Sequence, residues 1–82
     1  DIYIQDINWL KECDLVIAEC TQASLGVGYE LAFAENLNKP VYILYNRKKS
    51  KLSAMIAGNP AFHIFPYQTE EEVFNILDNI LA

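Results

Sequence analysis

The stretch Ser24-Leu-Gly-Val-Gly-Tyr-Glu30 holds the residue types and the spacing that most suggest chemistry. Gly26 and Gly28 open a predicted helix and let a ligand come close to its backbone N–H groups. Glu30 follows in the first turns of that helix, where the positive end of the helix dipole favours an ionised carboxylate. An ionised carboxylate is a potential nucleophile, so the pattern predicts Glu30 as a working carboxylate. The alternative is a pair of glycines that ease a tight turn and an acid that stabilises the helix.

Two further carboxylates and one histidine are candidates for a site. Asp6 stands where a helical pattern begins, and the commonest use of Asp there is as an N-cap. Glu19 ends a predicted buried strand, so its carboxylate is either hydrogen-bonded or functional, and the sequence leaves both open. His63 lies between Phe62 and Ile64 with no second His nearby, which favours a structural role. We therefore expect neither a metal site nor a cofactor.

A strand, a turn and a helix over residues 14–38 must position these groups. Residues 14–19 form a continuous apolar run bounded by acids, which is typical of a strand covered on both faces of a parallel sheet. Apolar residues at helical spacing then predict a helix over 25–38. The rest of the pattern predicts helices over 6–12 and 52–57, strands over 41–45 and 62–65, a basic loop over 46–51, and a final helix capped by Thr69 and Glu72.

This order of elements predicts the fold class. Alternating helices and strands imply βαβ crossovers, and hence a single α/β domain over residues 1–82 with a doubly wound, flavodoxin- or Rossmann-like parallel sheet. Sheets of this kind bind ligands at the carboxyl ends of their strands. Residues 19–30 lie at one of those ends, which again selects the stretch that contains Glu30.

Composition narrows the choice of partners. The formal net charge of −5 argues against a nucleic-acid polymer, because phosphate contacts need a basic surface. No apolar run approaches the roughly 20 residues that span a bilayer, so no membrane partner is expected. Cys13 and Cys20 flank the first predicted strand near its opposite ends, a poor geometry for a disulfide. We interpret them as reduced thiols of a cytosolic or nuclear protein.

Five stretches of the sequence occur in an order typical of one enzyme family. They are Gln5-Asp6 with Trp9-Leu10, residues 14–19, residues 24–31, Lys39-Pro40, and residues 52–56. Together they resemble the 2′-deoxynucleoside 5′-phosphate N-hydrolases, which belong with the nucleoside 2-deoxyribosyltransferases. The resemblance runs from about residue 5 into the last helix, and residues 24–30 are its most specific part.

The resemblance implies an activity and a role for each of four residues. It implies hydrolysis of deoxynucleoside 5′-monophosphates to free base and deoxyribose 5-phosphate, with Glu30 attacking the anomeric carbon to form a glycosyl ester that water resolves. Asp6 would manage the proton of the departing base. Ser24 and Ser53 would hold the 5′-phosphate, with Ser53 supplied by the neighbouring subunit of a homodimer. Both serines also stand at predicted helix N-caps, and the two roles are compatible.

The sequence also departs from the family pattern. The family's opening strand and its glycine- and arginine-containing phosphate loop precede the part matched here, and the chain begins at Asp1 without Met. We therefore expect these residues to be the C-terminal portion of a longer protein, and to be inactive alone. The basic loop over 47–51 is one residue shorter than the family suggests. It lies either near the phosphate or in solvent.

Two other functions compete with hydrolysis. The first is base exchange between deoxynucleosides, as in the deoxyribosyltransferases. Those enzymes generally carry aspartate six residues before the nucleophile, where this sequence has Ser24. The second is a non-catalytic nucleotide-binding or assembly module. Glu30, Asp6 and Ser24 together argue against that module, because a sensor has no need of a nucleophile.

Overall fold

A computed structural model describes residues 1–22 and 24–82 of the chain. Its elements are α1 (Ile2–Glu12), β1 (Val16–Glu19), α2 (Leu25–Asn36), β2 (Val41–Asn46), α3 (Ala54–Ala57), β3 (Phe62–Tyr67) and α4 (Glu70–Leu81). The three strands are parallel and lie in the order β1-β2-β3, with Val41 of β2 opposite both Val16 and Phe62. The predicted α/β class, a parallel sheet with flanking helices, is confirmed.

The core lies between the central strand and the first two helices. Its buried members are Ile7 and Leu10 of α1, Leu31 and Ala34 of α2, and Val41 and Ile43 of β2. Each helical pair is three residues apart and so lies on one face, which α1 and α2 turn towards the sheet. Burial of these side chains fixes the two helices against each other and against β2. These are the helices that carry Asp6 and Glu30.

The first helix begins four residues earlier than the sequence predicts. Asp1 is its N-cap, and the Asp1 carboxylate accepts a hydrogen bond from the N–H of Tyr3 at 3.1 Å. Asp6 therefore lies within the helix, and its predicted use as an N-cap is wrong. The pattern misleads because Ile2 and Ile4 are apolar yet 77% and 57% exposed, so the first turn has no amphipathic signature.

A lysine ties the ends of the two helices together. Asn38 adopts the left-handed conformation, with φ of 58°, two residues after α2 ends, and the predicted helix over 25–38 is shortened accordingly. The Lys39 ammonium then donates to the carbonyls of Lys11 and Cys13, at 3.1 and 2.6 Å. A cation at the C-terminus of α1 also complements the negative end of its dipole.

The later strands run further than predicted, to Asn46 and Tyr67. Pro66 lies inside β3, and this is tolerated because β3 is an edge strand of the sheet. The helix predicted over 52–57 is confined to Ala54–Ala57, and Thr69 caps α4 as expected. Among the described residues no helix combines the length and apolar character needed to cross a membrane. Cys13 and Cys20 are both free thiols.

Candidate functional site

Asp6 and Glu30 bring two carboxyl groups together where α1 packs on α2. Both line a cavity of about 320 Å³, which Gly26 also lines. Burial raises the pKa of Glu30, and the charge of Asp6 and a hydrogen bond with it raise this pKa further. Burial and the nearby Asp6 therefore outweigh the helix dipole, which was expected to favour the ionised form of Glu30. Glu30 is the sixth residue of α2, and the dipole effect falls off within the first turn.

Two tyrosines that the sequence analysis did not select line the same cavity. The hydroxyls of Tyr3 and Tyr29 lie 3.5 Å apart, with their ring centroids 6.2 Å apart and the planes tilted by 58°. Their hydrogen bond raises the pKa of Tyr29. The Asp1 cap was the signal that could have found Tyr3, because a helix starting at residue 2 puts Tyr3 and Asp6 on one face. The carboxyl pair thus has aromatic rings beside it.

Ser24 and Ser53 line a second cavity of about 480 Å³ between the start of α2 and the segment before α3. The Ser24 hydroxyl caps α2 and accepts from the N–H of Val27 at 3.3 Å. Ser53 occupies the predicted N-cap position of α3, but its side chain makes no capping hydrogen bond to a described residue. Lys51 of the basic loop and Gly28 also line this cavity.

The two cavities lie on opposite faces of α2. Gly26 and Glu30 are four residues apart and share one face, whereas Ser24 and Gly28 share the other, about 200° around the helix. Ser24 still lies close to the boundary between these two faces. Its Oγ is 3.8 Å from where a Cβ on Gly26 would stand, and Gly26 lines the Glu30 cavity. The structure therefore brings Ser24 to the edge of the Glu30 cavity. It does not bring Ser53 there.

Glu19 belongs to a third group, at the carboxyl ends of the strands. Its Oε1 accepts from the N–H of Thr21 at 2.7 Å, and its Oε2 accepts from the Thr21 hydroxyl at 2.6 Å and from the Tyr67 hydroxyl. Burial alone would raise the pKa of Glu19, but these bonds outweigh it and lower the pKa. The hydrogen bonds account for this carboxylate without a ligand. Tyr67 was missed because β3 was predicted to end at residue 65.

His63 stacks on Tyr42 of the neighbouring strand, with ring centroids 4.9 Å apart. This contact supports the structural role that the sequence suggests for it. Across residues 1–22 and 24–82, no three His, Cys, Asp or Glu side chains are grouped so as to hold a metal ion.

Comparisons with known proteins agree on one family. The family model for nucleoside 2-deoxyribosyltransferase matches residues 1–81. The chain is 43% identical over 82 residues to a protein assigned as a 2′-deoxynucleoside 5′-phosphate N-hydrolase in Syntrophotalea carbinolica, covering 99% of this chain and 58% of the relative. It is 47% identical over 81 residues to the 5-hydroxymethyl-dUMP N-hydrolase of Rattus norvegicus, covering 94% and 49%.

A solved structure shows the same fold. The CMP N-glycosidase BcmB of Clostridium botulinum matches with a TM-score of 0.77 and 25% identity, covering 94% of this chain and 71% of that one. The chain spans about half the length of the curated relatives it matches.

Proposed function

The chain belongs to the nucleoside 2-deoxyribosyltransferase family, and on that basis we propose that the protein hydrolyses the N-glycosidic bond of 2′-deoxynucleoside 5′-monophosphates. The observation that carries the proposal is the Asp6–Glu30 carboxyl pair in one cavity. Glycoside hydrolysis requires two such groups, one for the sugar carbon and one for the proton of the leaving group. Relatives at 43% and 47% identity are named for this class of reaction.

The closeness of the two carboxyl groups favours a covalent mechanism. An attacking water placed between carboxyls requires a separation of about 6.5–9.5 Å. Asp6 and Glu30 line one cavity, and Asp6 is close enough to raise the pKa of Glu30, which favours a shorter separation. Glu30 attacks the anomeric carbon and forms a C–O bond, while the bond to the base nitrogen breaks and its electron pair leaves with the base. Asp6 supplies the proton that neutralises the base.

Water completes the reaction at the same carbon. It attacks the glycosyl ester, Glu30 leaves as a carboxylate, and Asp6 takes up the proton that water loses. The products are the free base and deoxyribose 5-phosphate. Proton transfer by a positioned carboxyl group contributes about 10²–10⁴-fold to the rate. Loss of Asp6 should therefore slow cleavage of the glycosidic bond, whereas loss of Glu30 should prevent formation of the glycosyl ester.

The 5′-phosphate has donors at the start of α2. Ser24 has a hydroxyl to donate at the edge of the Glu30 cavity, and Gly26 leaves the space beside it open. Lys51 supplies a positive charge in the serine cavity, where Gly28 also allows close approach. Ser53 lies on the far side of α2 from its own Glu30, which supports a homodimer in which Ser53 serves the neighbouring site.

Glu30→Gln in the full-length protein tests the proposal directly. The amide is nearly isosteric and keeps the fold, but it cannot form the glycosyl ester, so turnover of a deoxynucleoside monophosphate should fall by at least about 10³-fold. Release of free base is the measurement, with circular dichroism to confirm folding and Glu35→Gln on the same helix as the control for lost charge. Near-normal turnover by Glu30→Gln would end the assignment of the nucleophile.

Base exchange is the second candidate, because the family model is itself that of a deoxyribosyltransferase. Both reactions share the glycosyl ester and differ in what resolves it. An added acceptor base that is converted to a new deoxynucleoside would favour the transferase. Release of the first base at an unchanged rate, with no new nucleoside, would favour the hydrolase.

A further inference from the structure

A hydrogen-bond cluster joins the carboxyl ends of all three strands. Glu19 ends β1, Asn46 ends β2 and Tyr67 ends β3. Thr21 lies at the centre: its N–H and hydroxyl donate to Glu19, and its Oγ1 accepts from the N–H of Asn46 at 2.9 Å. Tyr67 donates its hydroxyl to the same Glu19 carboxylate. We name these four residues the strand-end cluster.

The strand-end cluster is attached to the cavity that holds the serines. Thr21 and Gln22 line the 480 Å³ serine cavity, and they also line a polar cavity of about 390 Å³ beside Glu19 and Tyr67. These two residues therefore form the wall between the cavities. Since the N–H and the hydroxyl of Thr21 are both engaged in the strand-end cluster, the position of this wall depends on the cluster.

Glu19 itself is not available to a phosphate. Its two oxygens already accept three hydrogen bonds, and a carboxylate would repel a second anion beside it. The hydrogen bonds of Glu19 and Tyr67 instead fix the position of Thr21. We propose that Tyr67 is a positioning residue that acts through Glu19 and Thr21 to fix the wall of the serine cavity, and so strengthens binding of a 5′-monophosphate; this rests on the proposed function.

The strand-end cluster should act on substrate binding and spare the chemical step. Glu30 is placed by α2, whose neighbouring Leu31 and Ala34 are only 2% and 0% exposed. That packing does not involve the strand-end cluster. Loss of the Tyr67 hydroxyl should therefore raise KM for the monophosphate about fivefold or more, while kcat stays within about twofold. KM for the free deoxynucleoside should not change, because it carries no phosphate.

Tyr67→Phe removes one hydroxyl and keeps the ring, and Tyr45→Phe is its matched control. Tyr45 is a half-buried tyrosine of β2 whose hydroxyl has no hydrogen-bond partner in the described part of the chain. Both variants would be made in the full-length protein and assayed with deoxyuridine 5′-monophosphate and deoxyuridine. Amide hydrogen exchange would be followed at Thr21 in parallel, because that N–H donates to Glu19. Its exchange should quicken about fivefold in Tyr67→Phe only.

A second pair of variants separates the hydroxyl of Thr21 from its shape. Thr21→Ser keeps the oxygen that bonds to Glu19 and Asn46, so it should retain the wild-type KM for the monophosphate. Thr21→Val keeps the shape and loses both bonds, so its KM should rise at least as much as in Tyr67→Phe. Equal KM values in Thr21→Ser and Thr21→Val would overturn the proposal.

The outcomes also separate this proposal from the one it rests on. If the full-length wild type turns over neither substrate, the proposed function is wrong, and the Thr21 exchange rate alone decides the positioning role. An unchanged exchange rate in Tyr67→Phe overturns that role in either case. If the Thr21 amide exchanges faster in Tyr67→Phe but KM for the monophosphate is unchanged, Tyr67 positions Thr21 without affecting phosphate binding, and that part of the proposal is overturned.

Discussion

Ser24 is the side chain that bears most directly on the choice between a phosphate and a free hydroxyl. It lies at the start of α2, at the edge of the Glu30 cavity, and its Oγ accepts from the N–H of Val27. The proton of this hydroxyl is donated to no residue that the structure describes, so it is available to an anion. An aspartate there could only accept, and it would lie beside the phosphate as a like charge. Two such charges 4 Å apart repel by about 4 kcal/mol at an effective dielectric constant of 20.

Ser24→Asp should weaken or reverse the preference for monophosphates. We expect the ratio of kcat/KM for a deoxynucleoside monophosphate to that for its nucleoside to fall by about ten- to a hundredfold. Aspartate is as good an N-cap as serine, so the helix should keep its stability. Ser24→Asn is the matched control, because it caps the helix and has the shape of aspartate without the charge. Equal ratios in the Asp and Asn variants would show that charge is not the cause.

The helix pair α1 and α2 brings like charges together. The packing of Ile7 and Leu10 against Leu31 and Ala34 is apolar and holds the helices in place. That same packing sets Asp6 beside Glu30, and the pKa of Glu30 rises through burial and the nearby Asp6. A raised pKa means that the folded state binds this proton more tightly than the unfolded state does. The stabilisation is present at low pH and is lost as pH rises through the folded pKa.

Glu30→Gln should therefore stabilise the protein at neutral pH while abolishing turnover. Glutamine cannot ionise, so it avoids the cost that ionised Glu30 imposes beside Asp6. The side chain is partly solvated, so we expect about 0.5 kcal/mol, or an increase in Tm of about 2–4 °C at pH 7. The difference should vanish below about pH 4, where Glu30 is protonated in both folded and unfolded states. Thermal melts between pH 3 and pH 8 would measure it.

A matched control again comes from Glu35→Gln, which removes a charge from α2 on the face that lines the serine cavity. A similar gain in Tm in that variant would attribute the effect to the overall negative charge of the chain. A Tm for Glu30→Gln below that of the wild type at pH 7 would contradict the unfavourable pairing with Asp6.

At the level of elements, the sequence predicts the helices and strands well and their ends less well. The apolar runs of β1 and β2 and the helical spacing of α2 are local signals, so the order of elements and the parallel sheet follow from them. The ends depend on contacts that a local pattern does not contain. Asp1 extends α1 through its side chain, and β3 continues past Pro66 because it is an edge strand. Each extension brings one missed tyrosine, Tyr3 or Tyr67, into a site.

Pairings across the chain were the least predictable feature. The Glu19–Tyr67 bond joins residues 48 positions apart, and the sequence offers only two open readings of Glu19. The Asp6–Glu30 pairing was reached through resemblance to a family. Their spacing in the sequence could not establish it. Asp6 and Glu30 come together only because the apolar core packs α1 against α2.

For the whole molecule, the arrangement of the two cavities raises the question of how many chains make one site. Ser53 and Glu30 lie on opposite sides of α2, although both are predicted to serve one substrate. A symmetric dimer resolves this, because each chain can lend Ser53 to its partner and receive the partner's Ser53 in return. If Ser53 acts within its own chain instead, the substrate must reach around the start of α2. These two arrangements predict different behaviour of mixed dimers.

Mixing two defective variants distinguishes the arrangements. Glu30→Gln lacks the proposed nucleophile, and Ser53→Ala should lose about tenfold in kcat/KM for the monophosphate through one missing hydrogen bond to a charged group. In a dimer of one chain of each kind, sharing across the interface restores one complete site, built from the Glu30 of the Ser53→Ala chain and the Ser53 of its partner. After equal amounts are unfolded together and refolded, about a quarter of all sites should then be complete.

Activity of the mixture is the measurement, and each variant refolded alone is the control. With Ser53 shared, kcat/KM per chain should recover to about a quarter of the wild-type value, several-fold above the average of the two variants refolded separately. With Ser53 acting in its own chain, no mixed site is complete, and the mixture should equal that average. A deoxynucleoside without phosphate gives the internal check, because Ser53→Ala should not impair its turnover and mixing should then bring no gain. Recovery seen equally with both substrates would contradict a role for Ser53 at the phosphate.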